Sequence, residues 1–140
     1  MRHELIVYYQ PKFDATTNHL KSAEALVRWV KEDGSIVLPE QFLPVMEQTD
    51  VITILDWYVV EEVCSFLERA QAEGIKIRPV SLNFSRWHLH EKNMVERLAG
   101  IVDSHRLDHS FIVVEITESA MIDEENRMRG MVDTLHLVGE

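Results

Sequence analysis

The chain has 140 residues, 46% of them hydrophobic and 27% charged, the proportions of an ordinary soluble globular protein. With 24 acidic residues against 14 basic ones and a formal net charge of −10, it has no basic surface to follow a phosphate backbone, so no nucleic acid polymer is expected as a partner. The single cysteine, Cys64, excludes an internal disulfide and fits a reduced, cytoplasmic compartment. No apolar run approaches the ~18 residues of a membrane span, and the N-terminus has no signal-peptide core.

In chain order, residues 4–13 (ELIVYYQPKF) read as a strand rich in β-branched and aromatic residues, followed by a turn at DATTNH. A second strand runs over 21–30 (KSAEALVRWV), and EDGSIVLPE reads as a loop. Pro39 suits the first turn of a short helix containing Phe42, Val45 and Met46. A longer helix over about 51–72 places Val59, Val60, Val63, Cys64, Leu67 and Ala70 on one stripe, with Gly74 as its stop. Within RPVSLNFS (78–85), Val80, Leu82 and Phe84 alternate with Ser81, Asn83 and Ser85, which predicts a third strand. A helix over about 92–105 turns Met94, Leu98, Ile101 and Val102 inward. SFIVVEITES (110–119) is the fourth strand, and a further helix begins near Glu125. Strands separated by crossover helices from the second onward call for a mainly parallel sheet of the α/β class in one domain.

Each strand has one apolar face and a second face with sparse polar groups. These are Gln10 and Lys12, then Glu24 and Arg28, then Asn83 with Ser81 and Ser85, and finally Glu115 with Thr117. A carboxylate repeated on such a face is costly unless paired or metal-bound. Glu24, Asn83 and Glu115 all offer oxygen, which selects hard cations such as Mg²⁺ or Mn²⁺ over zinc. Two readings stay open at this level: a divalent metal site, or a satisfied polar layer inside a barrel.

Six ordered motifs carry a resemblance. YYQPKFD (8–14), AEALVRW (23–29), LPEQFLPVME (38–47), LDWYVVEEVC (55–64), VSLNFS (80–85) and VVEITESAM (113–121) together resemble the EAL domain, the bacterial cyclic di-GMP phosphodiesterase family. The resemblance implies the N-terminal portion of a modified (β/α)₈ barrel, about four strands with their crossover helices, the first strand antiparallel. It also implies that Glu24, Asn83 and Glu115 ligate Mg²⁺ or Mn²⁺, and that Arg28 contacts a substrate phosphate. Gln10 then lies at the substrate mouth, Leu26 near the scissile phosphate, and Glu118 supports an active-site loop. The implied chemistry is two-metal hydrolysis of cyclic di-GMP to linear pGpG, the cations letting an acidic protein hold a dianionic ligand.

A barrel of this kind needs roughly 250 residues. The family's paired-aspartate motif, lysine, further glutamate and glutamine do not occur in the 140 residues, so the chain alone is expected to be inactive and its metal shell incomplete. Three readings follow: a fragment of a phosphodiesterase, a natural truncated or degenerate module that binds nucleotide or protein without turnover, or a purely structural half-domain. An open half-barrel also exposes a sheet edge, which predicts a homo-oligomer that covers it. Among the remaining features, HLH (88–90) reads as a solvated loop and Trp57 and Trp87 as packing residues. Met121, Met128 and Met131 read as core, and DEENR (123–127) as the first turn of a helix.

Overall fold

The first strand pairs antiparallel with the second from end to end, Leu5 opposite Trp29 and Gln10 opposite Glu24. In this computed structural model, which describes residues 5–116, the elements are β1 (Leu5–Phe13), β2 (Leu20–Val30), β3 (Ile36–Val37), α1 (Pro39–Met46), α2 (Ile52–Ala72), β4 (Val80–Phe84), α3 (Met94–Ser104) and β5 (Ile112–Ile116). The sheet order is β1-β2-β4-β5, with β3 added to β2. β2–β4 and β4–β5 are parallel, joined by crossovers through α2 and α3. Five strands are therefore found among the described residues. The extra one, β3, lies in the stretch read as a loop and pairs antiparallel with the end of β2. The expected fourth strand ends, among the described residues, at Ile116. Thr117, Glu118, Met121, Met128, Met131, the acidic run and the last expected helix lie outside them.

Local chemistry explains the boundaries. The β1–β2 turn is closed by the Asp14 carboxylate, which accepts the N–H groups of Thr16 at 2.8 Å and Thr17 at 3.0 Å, with Asn18 in the left-handed region at φ 60°. α2 ends where Gly74 takes φ +81°, a conformation that a side chain would penalise.

One face of the sheet is covered and the other open. α2 lays Val60, Val63, Cys64 and Leu67, all 0–2% exposed, against Val80, Leu82 and Phe84 of β4, and α3 adds Met94, Leu98 and Val102. The packing lies on the predicted stripes because β-strand alternation and helical period leave one apolar face on each element. Ala70 and Ile101 are only partly buried. Within α1, Phe42 is 6% exposed and Val45 65%: the helix docks on β2 through Phe42, edge-to-face with Trp29 at 5.9 Å, and Val45 faces outward. Burial pushes the Cys64 thiol up to about 12, helped by the carboxylates of Glu61 and Glu68, so it serves as core rather than nucleophile.

The HLH stretch corrects the sequence reading most sharply. Arg86–His90 form a 3₁₀ turn, and His88 is fully buried, not solvated. Its ring stacks on Phe84 at 4.0 Å and meets Trp57 edge-on at 5.4 Å. Nε2–H donates to Asp56 Oδ2 at 2.8 Å, while Nδ1 lies beside Glu91 Oε1 without hydrogen-bond alignment. Trp57 is buried as expected, with Arg97 4.2 Å above its ring. Trp87 is half-buried, and its indole N–H donates to the Glu47 carbonyl at 2.8 Å.

A second histidine ties α3 to α2. His105 Nδ1 lies 2.7 Å from Glu68 Oε1 and Nε2 lies 3.0 Å from Glu61 Oε2. The hydrogen bond to Glu61 raises the His105 pKa above its ordinary 6.5, burial opposes the rise, and Glu68 adds to it. A raised folded value means that the stabilisation is complete below pH 6.5 and fades as pH climbs through the folded pKa. Urea midpoints should therefore fall from pH 6 to pH 8, and His105→Gln should flatten that slope. An unchanged slope in the variant would show that His105 does not contribute to it.

Candidate functional site

The open face of the sheet is assembled by register. Glu24 on β2 stands opposite Gln10 on β1 and level with Ser81 on β4, while Asn83 on β4 is level with Glu115 on β5. Side chains two residues apart share a face, so Gln10, Lys12, Glu24, Leu26, Arg28, Ser81, Asn83 and Glu115 all project to the same side. Asn83 Nδ2 donates to Glu24 Oε2 at 3.3 Å, and Lys12 Nζ stands 3.8 Å from Glu24 Oε1. The Glu24 carboxylate is therefore drawn toward Asn83, at the step where the parallel ladder brings Glu115 alongside.

Further along β2, Arg28 donates through Nη1 to the Val27 carbonyl at 3.0 Å and stands 5.8 Å from the Tyr8 ring centroid. Leu26, Arg28, Asn83 and Ser85 line a cavity of about 350 Å³, closed by Glu40 and Glu47 from the α1 side and by Asp56 of α2. A larger depression of about 540 Å³ lies between β1 and α2 against Tyr9, Tyr58 and Phe66, and none of the predicted site residues lines it. Gln10 is exposed on β1 across from Glu24, outside the 350 Å³ cavity.

The donor set suits a hard cation in type. Glu24 and Glu115 supply two carboxylates and Asn83 an amide oxygen; among the described residues no group of three or more His, Cys, Asp or Glu side chains is placed to hold a metal ion, so a cation here would depend on the Asn83 oxygen. The Glu24–Asn83 contact is the observation that supports the fit, since a cation would need these same two side chains side by side. Sequence reasoning missed two participants. Lys12 reads from the sequence only as a polar residue, and its place beside Glu24 depends on the β1–β2 register. Asp56 falls at helical spacing with Val59, Val60 and Val63, and an acid on an apolar stripe is a detectable signal.

The EAL domain family's sequence model matches residues 1–139, and the chain belongs to that family. It is 26% identical over 138 residues to the bifunctional diguanylate cyclase/cyclic di-GMP phosphodiesterase MucR of Pseudomonas aeruginosa, a match covering 99% of this chain and 20% of that protein. It is 31% identical over 122 residues to the probable cyclic di-GMP phosphodiesterase PdeI of Escherichia coli, covering 84% of this chain and 15% of that one. Among solved structures, the PaMucR phosphodiesterase in complex with c-di-GMP superposes with a TM-score of 0.88 at 26% identity, over 99% of this chain and 56% of that chain. The FimX EAL domain from Pseudomonas aeruginosa, bound to c-di-GMP, shares the fold with a TM-score of 0.83 at 17% identity. The chain thus spans about a fifth of the curated relatives and about half of these structures. No helix of the described residues is long and apolar enough to cross a membrane.

Proposed function

We propose that residues 1–140 are the N-terminal part of an EAL domain and supply one half of a site that hydrolyses cyclic di-GMP to linear pGpG. Membership of the family supports the substrate class, and the 3.3 Å contact between Glu24 and Asn83 carries the site assignment. Glu24, Asn83 and Glu115 are the residues that would hold Mg²⁺ or Mn²⁺. Bound there, the cation supplies charge neutralisation at a phosphodiester and lowers the pKa of a water. Lys12, beside Glu24, adds positive charge at the rim. The Arg28 guanidinium binds a ligand phosphate, for which its planar fork is suited. Leu26, between Glu24 and Arg28 on the same face, excludes water where the scissile phosphate lies. Gln10 binds at the mouth, and Glu118 supports the active-site loop. Glu24 and Glu118 are the pair assigned to catalysis.

Calorimetric titration with Mn²⁺ tests the assignment. The wild-type chain is expected to bind weakly, through a partial shell, and Glu24→Ala to remove that binding. Equal binding by both would refute the role of Glu24. If the chain binds cyclic di-GMP without turnover even when the rest of an EAL domain follows it, it is the non-catalytic binding module.

The sheet's two ends carry a second inference, self-association. β1 and β5 each have one strand neighbour among the described residues, and a second copy that pairs along such an edge would cover it. Light scattering should report a dimer or larger species; a monomer across a wide concentration range would contradict this.

A further inference from the structure

Asp56 is a buried carboxylate on an otherwise apolar stripe, 7% exposed. Burying a carboxylate is costly unless its oxygens are well bonded, so its partners are informative. Both partners come from the turn that leaves β4. One oxygen, Oδ2, accepts the backbone N–H of Ser85 at 2.9 Å and the Nε2–H of His88 at 2.8 Å. Ser85 is two residues beyond Asn83. The residue between them, Phe84, is 1% exposed and is clamped by the His88 ring at 4.0 Å and by Trp57 at 5.2 Å. The β4 ladder ends at that same residue, where Phe84 pairs with Ile116. Beyond it, the backbone is tied to α2 through Asp56. Asp56 itself lines the 350 Å³ cavity together with Asn83 and Arg28.

We propose that Asp56 is a positioning residue: by anchoring the backbone just past Asn83 to α2, it fixes the direction in which the Asn83 amide meets Glu24 and an incoming cation. It rests on the reading of Asn83 as a cation ligand, yet its effect on the Asn83 side chain is measurable without any cation. Alternation along β4 sends Asn83 to the open face only while Phe84 stays inward, and Phe84 is held inward by the turn that Asp56 pins. Packing alone would be served by a leucine at position 56. The carboxylate adds what a leucine lacks, a fixed acceptor for one particular backbone N–H.

The test uses the ¹⁵N-labelled 140-residue chain. In Asp56→Ala, the side-chain amide resonances of Asn83 should move toward those of a free amide without any metal present, while amides remote from the turn, such as Leu67 and Ile101, stay in place. Mn²⁺ affinity should fall roughly tenfold to a hundredfold, the range for supporting partners of metal ligands. Asp56→Asn, whose amide oxygen can still accept from Ser85, should restore most of both readouts. If Asp56→Ala does not fold, Asp56→Ser, whose hydroxyl and a water can fill the space, takes its place. Unmoved Asn83 resonances would overturn the proposal, as would resonances moving together over the whole sheet, which would make Asp56 a packing residue only. A wild-type chain that binds no Mn²⁺, with Asn83 still disturbed by Asp56→Ala, would remove the cation assignment and leave the positioning role standing.

Discussion

Phe84→Ala is expected to destabilise the chain by about 3–5 kcal/mol, a large share of the roughly 5–15 kcal/mol that holds a domain together. Phe84 is 1% exposed, lies edge-to-face with Trp57 at 5.2 Å and stacks on His88 at 4.0 Å, so its removal opens a cavity at the centre of a rigid aromatic cluster. The thermal midpoint, followed by circular dichroism, should drop on the order of 10 °C or more. Val45→Ala is the contrast: the side chain is 65% exposed, and the change should stay within about 0.5 kcal/mol. Similar melting shifts for the two variants would mean that the core has been misplaced.

Alternation and helical period made most of the scaffold legible. Val80, Leu82 and Phe84 had to share a face once VSLNFS was read as a strand, and Val60, Val63 and Leu67 had to share a stripe; their burial at 0–2% is the direct result. The antiparallel pairing of β1 with β2 came from the family resemblance rather than from periodicity, which does not encode strand direction. β3 was illegible for a simple reason: Ile36 and Val37 are too few to show a period, and their pairing depends on the turn in which Gly34 takes φ +89° and donates to the Lys31 carbonyl.

On the open face, the sequence supplied Glu24, Asn83 and Glu115 as an oxygen set, but their meeting depends on register, which a single strand read alone does not reveal. His88 reads as solvated because two histidines around a single leucine show no period and resemble a loop by composition. Its burial depends on Asp56, 32 positions earlier, and on the Phe84 and Trp57 rings around it. Such long-range pairing leaves only an indirect trace, the acid on the apolar stripe of α2.

The largest functional effect is expected at Glu24, whose carboxylate accepts from Asn83 at 3.3 Å and stands 3.8 Å from Lys12. On the proposed function, this chain holds half of a cyclic di-GMP hydrolase site and needs the other half for turnover. Its most direct test is release of pGpG from cyclic di-GMP with Mg²⁺ or Mn²⁺, measured for three proteins: the 140-residue chain, a longer polypeptide in which the rest of an EAL domain follows it, and that longer polypeptide carrying Glu24→Ala. No release is expected from the first, metal-dependent release from the second, and a loss of at least about a hundredfold in the third, the scale of removing one group that stabilises charge in a transition state. Turnover by the short chain at the rate of the longer one, or a longer polypeptide indifferent to Glu24→Ala, would contradict it.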